Sequence, residues 1–148
     1  IKYEETHSEP CWGDLDNDGF LDLYLTSVYE GRCSFLYLNN GDKTFREVTY
    51  PAGVRHFNGW GVAFADFDND GALDILVAGG KIQLFRNESS NSQNWLEIKV
   101  ISKNHADGIG RRSVLKSKII TLTREIEGGK GTTNQNSLVQ HFGLGNKN

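Results

Sequence analysis

One acidic sequence of nine residues occurs twice in the chain, at residues 14–22 and again at residues 66–74. Both copies read Asp-x-Asp-Asn-Asp-Gly-x-Leu-Asp, with carboxylates at positions 1, 3, 5 and 9 and glycine at position 6. This spacing crowds four negative charges into one tight loop, and like charges at short range repel one another. A hard divalent cation would remove that repulsion. The repeated sequence therefore predicts two cation sites.

Calcium suits these loops because it accepts six to eight oxygen ligands in a flexible geometry. Position 7 would add a backbone carbonyl, and the glycine at position 6 permits the sharp turn. The alternative is a pair of solvated turns, since Asp, Asn and Gly favour turns without any metal. The strict, repeated spacing favours calcium. The predicted ligands are Asp14, Asp16, Asp18, the carbonyl of Phe20 and Asp22 in the first loop, and Asp66, Asp68, Asp70, the carbonyl of Ala72 and Asp74 in the second.

A helix-loop-helix calcium site does not fit the flanking sequence. An EF-hand loop has twelve residues and ends in a bidentate Glu, whereas position 12 is Leu25 in the first copy and Val77 in the second. The residues that follow position 7, 21–26 and 73–78, are short, apolar and partly β-branched, which predicts strands. Each loop is therefore predicted to join two strands, with its ninth residue at the start of the second strand.

Each loop belongs to a longer repeat, at about residues 9–50 and 58–93. The loops are 52 residues apart but the third predicted strands are only 48 apart, so the first repeat has a four-residue insertion. A period near fifty with four strands per repeat is typical of a propeller or a related radial β-array. The predicted strands are residues 10–12, 21–26, 34–38 and 44–49 in the first repeat, and 62–65, 73–78 and 81–87 in the second.

The remaining residues also predict strands, at 95–101, 115–123 and 137–142, with turns or loops at 104–110 and 128–136. The predicted fold is therefore all-β, with two propeller-blade-like repeats that carry Asp-rich calcium loops and a small C-terminal β domain. The predicted domains are an N-terminal segment at residues 1–8, the two repeats within 9–93, and the C-terminal β domain at 94–148.

Two families are similar to this sequence. The acidic repeats resemble FG-GAP/VCBS repeats, the calcium-loop blades of integrin-type propellers and of many bacterial surface proteins. The remainder resembles the ASPIC/UnbV domain, through Asn-Trp-Leu at 94–96, Gly-Ile-Gly at 108–110 and His-Phe-Gly-Leu-Gly at 141–145. Arg111 departs from the small residue usual in that family, and the Trp-Pro-x-Gly turn that commonly follows is missing. The resemblance thus implies calcium-binding blades followed by an incomplete ASPIC/UnbV-like domain.

Cys11 and Cys33 are the only cysteines. Cys11 lies before the first loop and Cys33 before the next predicted strand, so a disulfide between them would staple neighbouring strands. Two free buried thiols are the alternative. Millimolar calcium and an oxidising medium are both extracellular conditions, which together predict a secreted or cell-surface protein. Asn87-Glu88-Ser89 is a glycosylation sequon, a triplet that is also common by chance.

Several function classes find no support in the sequence. The four histidines are scattered and no GxSxG nucleophile motif occurs. At a formal net charge of -3 the basic residues form no stripe for nucleic acid, and no apolar run reaches the ~18 to 20 residues of a membrane span. Trp12, Trp60 and Trp95 are predicted to pack in the core or between blades. The first residue is Ile and Met does not occur, which indicates a mature or excised segment.

The predicted function is an extracellular, non-catalytic structural protein in which two Ca²⁺ ions clamp the repeats. The alternatives are a carbohydrate- or protein-binding adhesion module of a larger surface protein, and a non-catalytic accessory part of an enzyme. Closed propellers typically have four to eight blades, so two repeats should leave exposed sheet edges. Either further blades of a longer chain cover those edges, or copies complete one another head to tail as a filament, with residues 1–8 as the donated strand.

Overall fold

A computed structural model describes residues 7–89, 93–101, 103, 107–118, 120–129 and 134–146. Within these residues the chain forms eleven β-strands and no helix, which confirms the all-β prediction. None of this part of the chain forms a helix that could cross a membrane. The strands are β1 His7–Gly13, β2 Asp22–Ser27, β3 Phe35–Asn39, β4 Phe45–Glu47, β5 Gly59–Ala65, β6 Asp74–Gly79, β7 Gln83–Phe85, β8 Asn94–Ile98, β9 Arg112–Lys116, β10 Thr121–Glu125 and β11 Gln140–Gly145.

The first repeat forms a four-stranded antiparallel sheet in the order β1-β2-β3-β4. Gly13 at the end of β1 pairs with Asp22 at the start of β2. The acidic loop therefore begins and ends at neighbouring positions of the sheet. In the middle of the sheet, Tyr24 pairs with Cys11 on one side and with Leu36 on the other, and all three side chains are buried.

The second repeat forms a three-stranded antiparallel sheet in the order β5-β6-β7. Its acidic loop is placed like the first one, since Ala65 at the end of β5 pairs with Asp74 at the start of β6. The described residues after β7 add no fourth strand to this sheet, and β8 pairs with β11 instead. Four strands per repeat is therefore confirmed for the first repeat only.

One hydrophobic core joins the two sheets. Leu15 and Leu73 contribute to it from the acidic loops, so each loop is anchored in the core by one apolar side chain. The hydroxyl of Tyr24 donates to the carbonyl of Val54 at 2.7 Å, which satisfies a polar group inside this core. Full burial of a large apolar side chain contributes roughly 1.5–3 kcal/mol. The buried cluster comprises Cys11, Leu15, Tyr24, Leu36, Val54, Val62, Phe64, Leu73, Ile75 and Val77.

The C-terminal strands form two antiparallel pairs, β8 with β11 and β9 with β10. The predicted single strand over residues 115–123 is wrong, because the chain reverses between β9 and β10. The N–H of Ser117 donates to the carbonyl of Ile120 at 2.9 Å, and the hydroxyl of Ser117 accepts the N–H of Ile120 at 3.1 Å. Serine supports such turns through its hydroxyl, but this one stands alone between two lysines within residues that otherwise favour strands.

The predicted N-terminal segment is described only at its end. Residues 1–6 lie outside the described residues, as do 104–106 and 130–133 within the predicted loops. Ser8 continues β1, and His7, its first residue, pairs with Ser27 of β2. These two residues therefore belong to the first sheet and not to a separate segment.

The predicted disulfide is wrong, because no disulfide joins Cys11 and Cys33. Cys11 pairs with Tyr24 of β2, whereas Cys33 precedes β3, on the far side of β2. Two strand spacings alone separate the Cα atoms by at least roughly 9–10 Å, and a disulfide spans at most ~7 Å. The thiol of Cys11 instead donates to Oδ1 of Asn136 at 3.2 Å, and Cys33 forms a β-bridge with Phe57.

Two tryptophans also depart from their predicted place. Trp12 is 41% exposed and Trp60 is 55% exposed. On β1 and β5 they alternate with buried neighbours, so they face away from the core. Trp12 contacts Phe45 edge to face, with ring centroids 6.3 Å apart.

Candidate metal centres

The first acidic loop gathers three carboxylates around one point. Ligand oxygens of Asp14, Asp16 and Asp18 lie within 4.8 Å of one another. The Asp14 residue is 1% exposed, and Oδ1 of Asp14 and Oδ1 of Asp16 are buried without a hydrogen-bond donor. Buried polar atoms are seldom left without a partner. These two oxygens therefore mark a position that suits a cation.

Burial opposes negative charge in this loop. It raises the pKa of Asp14 to about 7, with Arg124 opposing the rise and Asp18 adding to it. Burial likewise raises the pKa of Asp22 to about 7 and is the largest cause of the raised pKa of Asp16. A nearby opposite charge favours the ionised form of a carboxyl. A divalent cation would thus reverse these shifts, so the donor set and its electrostatics both fit calcium.

The carboxylate at position 9 holds each loop closed. Asp22 accepts the N–H of Leu15, at loop position 2, at 2.8 Å, and the N–H of Asn39 on β3 at 2.8 Å. Asp74 repeats both bonds with the matching residues of the second repeat, at 2.9 and 2.7 Å. Asp22 therefore ties its loop to β3, and Asp74 ties its loop to the segment just after β7. Its oxygens keep further lone pairs for a cation.

Position 7 has the same local geometry in both loops. The N–H of Phe20 donates to Oδ1 of Asp18 at 2.8 Å, and the N–H of Ala72 donates to Oδ1 of Asp70 at 2.9 Å. Such short-range bonds from an aspartate bend the backbone two residues on. The carbonyls of Phe20 and Ala72 stay predicted ligands.

The second loop gathers oxygens of Asp66, Asp68 and Asp74 within 4.8 Å of one another. Asp66 accepts two backbone N–H groups, from positions 5 and 6 of the loop, at 3.1 and 2.9 Å. A side-chain cation is also present: Nε of Arg86 lies 2.5 Å from Oδ2 of Asp68, and Nη2 lies 3.6 Å from Oδ2 of Asp70. The carboxylates of this loop thus already have donors.

Strand β11 covers the first loop. The N–H of Gly143 donates to Oδ2 of Asp14 at 3.0 Å, and the N–H of Gly145 donates to the carbonyl of Asn17 at 2.9 Å. A Cβ atom at position 143 would collide with the backbone of Asn17, so only glycine permits this approach. The backbone of β11 therefore reaches a predicted calcium ligand directly.

Asn17 connects the two loops to each other and to β11. It is fully buried, and its Nδ2 donates to the carbonyl of Gly71 in the second loop at 2.8 Å. Its Oδ1 lies 2.7 Å from Nε2 of His141, which is therefore the donor. Burial, reinforced by Arg124, lowers the pKa of His141 to about 4, so the ring is neutral at pH 7. The contact is thus an uncharged structural bond.

Arg124 of β10 contacts the first loop. Its Nη2 lies 3.5 Å from Oδ2 of Asp14 and 3.5 Å from the carbonyl of Gly19. Its Nε donates to the carbonyl of His141 at 3.2 Å, and its guanidinium lies 5.2 Å from the ring centre of Phe142. Arg124 therefore holds β10, β11 and the loop together without contacting Oδ1 of Asp14.

The second loop is covered by Trp95 of β8. An added Cβ at Gly71 would overlap the indole, and that indole stacks on the His141 ring with centroids 6.0 Å apart. The Asn-Trp-Leu and His-Phe-Gly-Leu-Gly sequences thus meet at the two acidic loops. Sequence reasoning noted both motifs but missed this contact, because strand pairing between β8 and β11 brings them together.

Asn87 has a structural use that argues against glycosylation. Its Nδ2, the atom that would carry a glycan, donates to the carbonyl of Leu15 at 2.8 Å and to the carbonyl of Leu73 at 3.1 Å. The side chain thereby links both repeats beside their loops. Its counterpart Asn39 donates to the carbonyl of Leu21 at 3.1 Å. Alignment of the two repeats could therefore have indicated that Asn87 has a structural role.

Comparison with known proteins identifies the repeat. Residues 14–77 match the family described as FG-GAP-like repeat. The matched stretch runs from the first aspartate of the first loop to three residues past the second loop. Residues 14–77 are therefore similar to an FG-GAP-like repeat, as the resemblance predicted. The VCBS and ASPIC/UnbV resemblances stay predictions.

The chain is also similar to cartilage acidic protein 1. It is 30% identical over 145 residues to the protein of Xenopus tropicalis, which covers 89% of this chain and 22% of that relative. The Mus musculus and Homo sapiens proteins match over the same shares, at 30% and 29% identity. The chain thus spans about a fifth of the length of these relatives.

Proposed function

We propose that this chain is a calcium-dependent structural module in which each acidic loop holds one Ca²⁺ ion. The observation that carries the proposal is the pair of buried oxygens, Oδ1 of Asp14 and Oδ1 of Asp16, that no donor satisfies. The repeated spacing and the FG-GAP-like match support the same assignment in the second loop. Calcium supplies charge neutralisation at both sites.

Calcium in the first loop also stabilises the cover formed by β11. An ionised carboxylate accepts stronger hydrogen bonds than a neutral one, and Oδ2 of Asp14 accepts the N–H of Gly143. A cation at Oδ1 keeps that carboxylate ionised. Part of the metal-binding free energy therefore becomes folding free energy of the repeat and of the strands that cover it.

The proposed role is extracellular and non-catalytic. Calcium ligation uses the lone pairs of the acidic residues, which leaves them unsuited to acid–base chemistry. Modules with weak calcium sites work at the millimolar concentrations found outside cells, and the matched relatives carry cartilage in their name. Within this role, residues 94–148 form the ASPIC/UnbV-like β domain that covers the loops of the repeats in 9–93.

The experiment compares wild type with Asp16→Asn and Asp68→Asn, which change position 3 of the first and second loop. Each protein is stripped with a chelator and melted with increasing calcium. The melting temperature of wild type should rise by mass action, each single variant should keep a smaller rise, and the double variant should keep none. Identical wild-type melting in chelator and in calcium contradicts the proposal.

The partners we propose are further sheets at the outer strands β4 and β7. These are edge strands of the sheets formed by the two repeats, and an edge strand offers unpaired backbone groups to another chain. The partner is either the next blade of a longer chain or a second copy that extends a head-to-tail filament. Sedimentation of this chain in calcium distinguishes them, because a concentration-independent monomer rejects self-assembly.

The exposed Trp12 and Trp60 favour a second candidate, an adhesion module for carbohydrate or protein. Exposed indoles supply large contact areas with a polar edge. A glycan array with wild type and with the Trp12→Ala, Trp60→Ala double variant tests it. Binding that both proteins share equally would contradict a role for these side chains.

A further inference from the structure

The second loop contains a cation of its own. Arg86 lies just after β7, and its guanidinium contacts Oδ2 of Asp68 at 2.5 Å and Oδ2 of Asp70 at 3.6 Å, with Glu88 at 3.8 Å. These aspartates are positions 3 and 5 of the predicted calcium loop. Arginine stays protonated throughout the physiological range. The guanidinium therefore contacts oxygens of two predicted calcium ligands.

The first loop has no equivalent of this arginine. Asn87, the residue after Arg86, corresponds to Asn39 of the first repeat, because the N–H of each bonds to the position-9 carboxylate of its loop. Leu38, the residue before Asn39, therefore corresponds to Arg86. Leu38 is apolar and packs beside the hydrophobic core.

The charged neighbours of the first loop leave two of its ligand oxygens without donors. Arg124 contacts Oδ2 of Asp14 and not Oδ1. Arg46 is solvent-exposed, and its Nη2 lies 3.9 Å from Oδ2 of Asp16, at the limit of an ion pair. Oδ1 of Asp14 and Oδ1 of Asp16 stay without donors.

We infer that Arg86 is an internal counter-ion that competes with calcium for Asp68 and Asp70, which makes the second loop the weaker of two unequal sites. The inference rests on the proposed calcium function. Calcium must displace the guanidinium before it gains those two ligands. When calcium is absent, the same guanidinium partly neutralises the loop and keeps it folded. Loss of calcium is thereby less disruptive in the second loop than in the first.

The test measures calcium affinity by calorimetry in proteins that keep one loop. In an Asp16→Asn background only the second loop binds, and Arg86→Leu, the residue found in the first repeat, should tighten its Kd about two- to fivefold, the range expected from an exposed ion pair. Arg86→Lys keeps a charge that cannot bridge two carboxylates as a planar fork does, so an intermediate Kd is expected. In an Asp68→Asn background, Arg46→Leu is the matched control and should change the Kd of the first loop by less than about twofold.

A second readout uses metal-free protein. Arg86→Leu should lower the melting temperature in chelator and restore it at saturating calcium, because the variant loses the counter-ion and not the ligands. An unchanged or weaker Kd in Arg86→Leu overturns the inference while calcium binding itself stands. Binding by the first loop alone also overturns it. If neither single-loop protein binds calcium, the proposed function fails as well.

Discussion

The two acidic loops share one sequence pattern but lie in different surroundings. In the first loop Asp14 is buried and β11 covers it, with two carboxylate oxygens left without donors. In the second loop Asp68 and Asp70 are solvent-accessible and paired with Arg86. The pattern Asp-x-Asp-Asn-Asp-Gly-x-Leu-Asp thus specifies the ligands, whereas residues far along the chain decide how much each loop depends on calcium.

The largest expected effect is a difference between the metal-free and the calcium-bound protein in how stability depends on pH. The pKa of Asp14 and of Asp22 is about 7 in the folded chain, against an ordinary 3.8. Between these values the folded chain keeps protons that the unfolded chain has released. The contribution of these two carboxyls to the free energy of unfolding should therefore be largest at low pH and fall as pH rises towards about 7. The upper bound is on the order of 4 kcal/mol for each carboxyl.

Thermal melts of chelated protein between pH ~4 and ~8 check this prediction. Asp14→Asn should flatten the decline, because asparagine does not titrate. Saturating calcium should counter the decline, since metal binding favours ionised ligands. A chelated protein that becomes more stable from pH ~5 to ~7 would be inconsistent with two buried carboxyls of raised pKa.

The next effect compares the asparagines at position 4 of the two loops. Asn17 is fully buried and bonds to His141 and Gly71, whereas Asn69 is exposed. Both adopt positive φ, at 57° and 59°, so backbone effects of substitution should be similar. Asn17→Ala should lower the free energy of unfolding by ~2–3 kcal/mol through buried groups left unsatisfied, and Asn69→Ala by less than ~1 kcal/mol. Equal losses in the free energy of unfolding, measured with denaturant, would contradict the proposed difference between the loops.

A smaller effect tests the cover over the first loop. Gly143→Ala places a Cβ against the backbone of Asn17 and should destabilise by ~1–3 kcal/mol. Gly61→Ala is the matched control, because a Cβ on that strand residue meets Asn134 at an ordinary 3.7 Å. It should change stability by less than ~1 kcal/mol. If both substitutions are tolerated equally in calcium, β11 does not press on the loop in solution.

Local pattern predicted the loops and most strands, because alternation and turn residues act over a few positions. It failed at Ser117, because one serine between two lysines is too short a polar stretch to indicate a turn within residues that otherwise favour strands. The bond between Asp14 and Gly143 spans 129 residues and has no local signal. Cys11 and Cys33 were predicted to staple neighbouring strands, but strand β2 lies between them. The difference between Arg86 and Leu38 was visible in the aligned repeats, but its position beside Asp68 required the fold.

The most direct test is a crystal structure of the chain grown in calcium and again with a lanthanide, read by anomalous scattering. The account predicts one peak among Asp14, Asp16 and Asp18 and a second among Asp66, Asp68 and Asp74, the latter of lower occupancy at limiting metal. Arg86 should then have turned away from Asp68. No peak in either loop, or two equal peaks with Arg86 still bonded to Asp68, would contradict the account.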